Sequence, residues 1–445
     1  MIVIIKTLQV ILALSVLILV HELGHFTFAK MFGIRVDKFF LFFDAGGRKL
    51  LSTKTGWFSR IFPKGQNLET EYGIGWLPLG GYCKIAGMVD ESMDTEYLQN
   101  DPQPWEFRTK PAWQRLLVMA GGVLFNFIFA IIMYIALLAG WGESYISNEG
   151  NSIYVNELAY DMGFRNGDHI ISFDDYEPEN FLMLQADLAR ETAGKAVVLR
   201  EGDTLDIYID HSRIGDILNN PGMFGLARPF TIHSIADGSI NSGADLKEGD
   251  RIIGIEGITV PFVQDAWPIL EDHAGQTVTS SVLRDADTLS IPLQVDTTGR
   301  LGVYLTSPEV KTKKYSVIEA IPAGIGKTFS SIGGYLKDLK LVFTPSTEAY
   351  KSVGSFIAIG QVFPEAWDWY SFISIIAMLS IMLAVMNLLP IPALDGGHIV
   401  FTVYEMITGR KPSDNFLYVT QIIGMIIIFG LMFLAFGNDI ARLIR

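Results

Sequence analysis

The stretch LSVLILVHELGHFTFAKMFG, residues 14–33, constrains this chain more than any other. It is apolar enough to sit in lipid, yet it carries His21, Glu22, His25 and Lys30. Ionisable groups in a bilayer cost several kcal/mol unless something offsets them. The run is one of four of lipid-spanning length, roughly 4–31, 113–140, 369–390 and 416–437, where about 20 apolar residues suffice. With 49% hydrophobic residues, a soluble protein is not expected. The first run has one early basic residue, Lys6, a long core and no small-residue cleavage site before His21, so it reads as a retained helix rather than a signal peptide.

His21-Glu22-Leu23-Gly24-His25 has the form H-E-x-x-H. On a helix, positions i and i+4 lie one above the other, so both imidazoles can share one tetrahedral zinc. Glu22 then sits beside the metal, free to take a proton from water. Buried without partners, two imidazoles and a carboxylate would be costly; a metal offsets that cost. A catalytic zinc needs a third protein ligand and one open position. Asp395 and His398 both qualify, in NLLPIPALDGGHIV (387–400), where Pro390 and Pro392 break the third span and let the chain turn inward. Spacing does not choose between them.

Charge divides the chain. Residues 141–370 hold 33 acidic and 17 basic side chains, whereas the loop 33–112 holds ten of each. Arg410 and Lys411 follow the third span. Basic residues favour the cytoplasmic face, so these loops read as cytoplasmic and the acidic middle as external; Arg442 and Arg445 pull weakly the other way. An acidic exterior excludes nucleic acid as the expected partner. The single cysteine, Cys83, excludes an intramolecular disulfide and a multi-cysteine zinc site.

The acidic middle repeats itself. GFRNGDHIISFDD (163–175) aligns with DLKEGDRIIGIEG (245–257), and GMFGLARP (222–229) with GRLGVYLT (299–306). Two features in register predict two copies of one β-rich domain of about 80 residues. Beyond them, Ile318, Ile321, Ile325, Phe329, Ile332, Leu336, Leu339 and Phe343 mark one face of an amphipathic helix, which Pro322 and four glycines threaten to kink. It would cover a domain or lie on a membrane surface. In the loop 33–112, EYGIGWLPLGGYCKIAG (71–87) is too apolar for a solvated loop. A β-hairpin dipping toward the membrane fits, as does a buried hairpin packed on a neighbour.

H-E-x-x-H in the first span, together with Asn387, Pro390, Asp395 and Gly396 in N-x-x-P-x-x-x-x-D-G, resembles the site-2 protease family of intramembrane zinc proteases. The resemblance covers essentially the whole chain. It implies a multi-pass α-helical membrane protein with four transmembrane helices, a membrane-associated β-loop and two tandem external PDZ domains of α+β type. The implied order is a first transmembrane helix (1–32), a cytoplasmic loop with the membrane-dipping β-hairpin (33–112) and a second transmembrane helix (113–140). PDZ domains at 141–229 and 230–308 and an amphipathic connector (309–368) follow. A third transmembrane helix with the Asp ligand (369–395), a short cytoplasmic loop (396–415) and a fourth transmembrane helix (416–437) complete it.

The resemblance further implies that His21, His25 and Asp395 bind Zn2+, that Glu22 is the catalytic base and then acid, and that His398 is structural. Asn387 would face substrate. Asn126, in GGVLFN (121–126), matches a family G-x-x-x-N pattern, although Val123 stands where relatives often have proline. Ile74, Gly75 and Trp76 would hold substrate as an added β-strand. Gly222, Phe224 and Gly225, and in the second copy Gly299, Leu301 and Gly302, resemble PDZ carboxylate loops. The implied substrate is a single-span membrane protein already trimmed outside, such as an anti-sigma factor of an envelope stress response, or a leftover signal peptide. The implied location is a bacterial inner membrane, with the PDZ pair periplasmic and the active site toward the cytoplasm. A peptidase acting on soluble or lipid-modified tails and a non-catalytic receptor sensing chain ends are the rivals.

Overall fold

The computed structural model describes residues 2–61, 63–88 and 101–444, in two compact units. Met1–Gly142, Lys314–Lys340 and Tyr350–Arg445 form the first; Glu143–Lys313 and Leu341–Ala349 form the second. Helix α1 (Ile2–Met31) leads into strands β1 (Val36–Phe43) and β2 (Lys49–Ser52), helix α2 (Gly56–Ile61), and strands β3 (Glu71–Gly75) and β4 (Leu77–Ile85); helix α3 (Ala112–Trp141) follows. The second unit opens with β5 (Glu143–Ile146), β6 (Ile153–Val155), α4 (Glu157–Asp161), β7 (His169–Phe173) and α5 (Leu184–Arg190). It continues with β8 (Lys195–Arg200), β9 (Asp203–Tyr208), α6 (Ile214–Asn219) and β10 (Phe224–Leu226). Next come β11 (Ile232–Ile235), β12 (Arg251–Ile255), β13 (Ile258–Thr259), α7 (Val263–Asp272), β14 (Thr277–Arg284), β15 (Asp287–Gln294), β16 (Val303–Leu305) and β17 (Val310–Lys313). Helices α8 (Val317–Val342), α9 (Phe356–Val362), α10 (Trp369–Leu388), α11 (Asp395–Thr408) and α12 (Asp414–Ile444) complete the chain.

Among the described residues, four helices are long and apolar enough to cross a membrane: α1, α3, α10 and Asn415–Ala441 of α12. Aromatic rings mark one level of this bundle. Trp141 at the end of α3 meets Tyr370 at the start of α10, ring centroids 6.1 Å apart, and Trp367 packs edge-on against Trp369. Amphipathic rings collect at membrane–water boundaries.

The prolines end the third span as expected, but earlier than 395. Helix α10 stops at Leu388, and Asp395 opens a separate helix, α11, so 396–408 is helical rather than loop. Gly396 and Gly397 let α11 lie directly on the turn, where a methyl group would overlap Leu388–Leu389 and Ile391–Pro392 backbone. Gly424 of α12 approaches Ala393 equally closely. This non-helical turn is thus packed within protein, as its depth requires.

Residues 71–87 do not form a hairpin. The sheet order is β2-β3-β1-β4: β3 pairs in parallel with β1, and β4 pairs antiparallel with β1's other edge. Gly73 and Gly75 permit this, because a side chain at either would collide with Phe40 or with the Phe42–Phe43 backbone of β1. Strand β3 is therefore paired on both sides, while β4 ends the sheet among the described residues. Residues 89–100 of the same loop lie outside the described residues.

Helix α8 runs unbroken through Pro322 and its glycines. Pro322 falls early in the helix, and Gly324 is needed because any side chain there would overlap Ile135 of α3. Ile332, Tyr335 and Leu339 pack against Ala130, Tyr134 and Ile381 of the bundle. Ile318, Ile321, Phe329 and Leu336 stay exposed.

In the second unit the repeat is real and reaches individual bonds. Each half has a two-stranded ladder, β6–β10 or β11–β16, an antiparallel meander, β7-β8-β9 or β13-β12-β14-β15, and its own apolar core. Ile153 N–H donates to Asp168 O while Gly167 N–H donates to Ile153 O; Ile232, Asp250 and Gly249 repeat both bonds. Asp168 is fully buried and accepts from Arg165 N–H and from Nε and Nη2 of Arg200. Asp250 does the same with Lys247 N–H and Arg284. Helix α6 has no counterpart in the second half, which shortens the offset between the later repeated motifs. Tyr154 Oη donates to Asp265 Oδ1 and Gln264 Nε2 to Leu226 O, tying the halves together.

Candidate metal centre

The H-E-x-x-H segment lies in the C-terminal half of α1, where Gly24 packs backbone to backbone against Gly121 of α3. That contact brings α3 close, and Gly122 completes it: a methyl group there would fall 2.5 Å from both His21 Cε1 and His25 Nε2. Helix α11 delivers Asp395 from the other side. His21 Nε2 and His25 Nε2 are 3.2 Å apart, and Asp395 Oδ2 lies 3.2 Å from the first and 3.4 Å from the second. All three residues are largely buried.

The donor chemistry leaves this triangle incomplete. His25 Nδ1 sits 2.8 Å from the Val118 carbonyl, which can only accept, so His25 carries its proton there and turns a lone pair on Nε2 inward. Asp395 Oδ2 is buried without a well-aligned hydrogen-bond donor. Lone pairs thus converge in an enclosed site, an arrangement that calls for a cation. A tetrahedral metal with bonds of roughly 2.0–2.1 Å separates its ligand atoms by about 3.3 Å, which matches the three spacings. Among the described residues, no other group of three or more His, Cys, Asp or Glu residues converges in this way.

The triangle opens into a cavity of about 450 Å3. Glu22 and Asn387 line it beside the cluster, and β4 forms one wall through Gly81, Tyr82 and Cys83. The Glu22 carboxylate faces the Cys83 backbone N–H. Asn387 Nδ2 is 3.2 Å from His21 Nε2. His398 lines the same cavity without joining the triangle, so the geometry favours Asp395 as the third ligand.

Other expected site residues fall elsewhere. Asn126 is fully buried and touches His21 Nδ1 rather than open cavity. Ile74 and Gly75 belong to the doubly paired β3, and Trp76 donates its indole N–H to Ala45 O; none can accept an added strand. Strand β4 is the one that lines the cavity. In the second unit, Phe224 packs against Phe164 and Leu301 is buried. Gly222 and Gly299 take left-handed backbone with φ of 83° and 75°; Gly225 and Gly302 lie in or beside the terminal ladders. The Val118 carbonyl has no sequence signal, being a backbone group.

This arrangement defines a metallopeptidase-type centre set among membrane-spanning helices. The family model for peptidase family M50 matches residues 9–431. A Xylella fastidiosa protein bearing the name of a zinc metalloprotease is 27% identical over 460 residues, covering 97% of each chain. The regulator of sigma-E protease RseP of Salmonella typhimurium is 27% identical over 463 residues, covering 97% of this chain and 98% of its own. A Borreliella burgdorferi protein with the zinc metalloprotease name is 28% identical over 452 residues, covering 98% of both. The chain belongs to peptidase family M50 and is a zinc metalloprotease.

Proposed function

We propose that the chain is an intramembrane endopeptidase that cleaves within or near the transmembrane segment of single-span membrane proteins. The observation that carries this reading is the enclosed His21–His25–Asp395 triangle, placed among the membrane-spanning helices and opening beside strand β4. His21, His25 and Asp395 would hold the zinc. When bound, zinc supplies Lewis acidity and makes a water acidic near neutral pH. Glu22 takes the water's proton and returns it to the leaving amine. The Asn387 amide donates to the carbonyl oxygen as charge develops there.

A transmembrane helix hides its carbonyls in its own hydrogen bonds and must unwind before attack. Strand β4, which lines the cavity beside Glu22, supports that step, since backbone pairing with an extended segment there replaces the lost bonds. The assignment moves from Ile74–Trp76 to Leu77–Ile85.

The two repeated halves of the second unit are read as PDZ domains on the external side. Their strand pattern and paired Gly loops support this, and they screen out substrates with large external domains. The ten basic residues of the loop 33–112, Arg410 and Lys411, and the position of His21 and His25 toward the β-sheet end of α1 support a centre near the cytoplasmic face of a bacterial inner membrane. The likeness to a regulator of sigma-E protease suggests an anti-sigma factor as substrate.

The test is zinc content and cleavage of a single-span substrate with a short external segment, in detergent. Wild type binds one zinc and cleaves; Glu22→Gln keeps zinc and does not cleave; Asp395→Ala loses both. Normal cleavage by Glu22→Gln would sink the assignment of the base, and full zinc in Asp395→Ala would sink the ligand set.

A further inference from the structure

Both imidazoles are held from behind by one stripe of α3. Val118, Gly122 and Asn126 are spaced i, i+4, i+8 and share a face. The Val118 carbonyl fixes His25 Nδ1, Gly122 makes room for both rings, and the Asn126 amide lies 3.1 Å from His21 Nδ1. Asn126 is 0% exposed, and α10 pins its backbone, with Ser380 Oγ donating to Asn126 O at 2.8 Å. Written with its nitrogen toward His21, the amide leaves Oδ1 buried with no partner. Amide oxygen and nitrogen are assigned by their surroundings, and here the surroundings include a ring that must present its Nε2 lone pair to a metal. That tautomer carries its proton on Nδ1 and needs an acceptor behind it.

We propose that Asn126 is the positioning residue for His21: its amide oxygen accepts the His21 Nδ1–H bond, as the Val118 carbonyl does for His25. Asn126 then acts on metal affinity through His21 and does not contact substrate. The inference rests on zinc binding at His21, His25 and Asp395.

The experiment measures zinc affinity by chelator competition, and the visible absorption of the cobalt-substituted protein, for wild type, Asn126→Leu, Asn126→Asp and Asp395→Ala in detergent. Leucine keeps the volume and removes the acceptor; aspartate keeps an acceptor and loses the donor. Asn126→Leu weakens zinc about 10–100-fold, the usual effect of losing a group that orients a ligand, and alters the cobalt spectrum. Asn126→Asp binds zinc at least as tightly as wild type. A packing role predicts the reverse order, with leucine tolerated and a buried charge damaging. Wild-type affinity in Asn126→Leu, or equal damage in both variants, overturns the inference. Wild-type affinity in Asp395→Ala would instead overturn the metal site beneath it, so the two failures are distinguishable.

Discussion

Two regions of this protein bury charged groups, and they do it in opposite ways. In the second unit, Asp168 and Asp250 are each answered by a bidentate arginine and a backbone N–H, so acceptors and donors balance inside the fold. In the first unit, His21, His25 and Asp395 turn ring nitrogens and a carboxylate oxygen toward one another, and Asp395 Oδ2 is left without a hydrogen-bond partner. The first arrangement is complete without help. The second has the donor set and spacing that a bound cation completes. A buried charge that the chain satisfies by itself is scaffold; one left unanswered marks where something else binds.

The sharpest way to break this comparison is to remove the metal. A strong chelator should abolish cleavage and leave the thermal unfolding of the second unit unchanged; a matching loss of second-unit stability would show that the regions are not independent in this sense. The converse is Asp168→Ala. It strands the Arg200 guanidinium beside a cavity, and breaking a buried pair costs about 3–5 kcal/mol, less here because Arg200 is 29% exposed. Denaturant unfolding should show roughly 2–3 kcal/mol lost from this unit, with zinc stoichiometry at the wild-type level.

Much of this contrast was legible in the sequence. H-E-x-x-H inside an apolar run is an imbalance visible in one dimension, because helical spacing alone places the two imidazoles together. The repeat was equally visible, since Gly167-Asp168 and Gly249-Asp250 carry the same local bonds. The arginines were not, because Arg200 and Arg284 arrive from β8 and β14, and no local pattern says which basic residue crosses to which acid. Spacing alone left Asp395 against His398 open for the same reason, since both follow the proline break; the resemblance pointed to Asp395, and the fold brings that residue to the two imidazoles. The hairpin expectation failed because sequence adjacency favours pairing β3 with β4, whereas Gly73 and Gly75 let β1 insert between them.

That failure moves a prediction. Ile74→Pro would break a strand paired on both sides and unfold the sheet. Cys83→Pro removes the β4 backbone N–H that faces Glu22. Zinc should remain bound while turnover of a membrane-helix substrate falls about 3–10-fold, the scale of one hydrogen bond lost with its alignment. Unchanged turnover would remove β4 from substrate binding and leave the cavity without a device for holding an extended chain.

The smallest expected effect tests whether the balanced pairs are also acid-labile. Hydrogen bonding from the Arg284 guanidinium, followed by burial acting the other way, leaves the Asp250 carboxyl below its usual range in the folded protein. An acid whose pKa is lower folded than unfolded stabilises the fold above its unfolded pKa, near 3.9. That contribution is lost as pH falls through the unfolded value toward the folded one. The melting temperature of the second unit should therefore decline below about pH 4, and Asp250→Asn should start lower and decline less steeply. Parallel slopes for the two proteins would mean that the Asp250–Arg284 pair holds its geometry without contributing a titratable share of the stability, and that the balance in this region is one of hydrogen bonds rather than of charge.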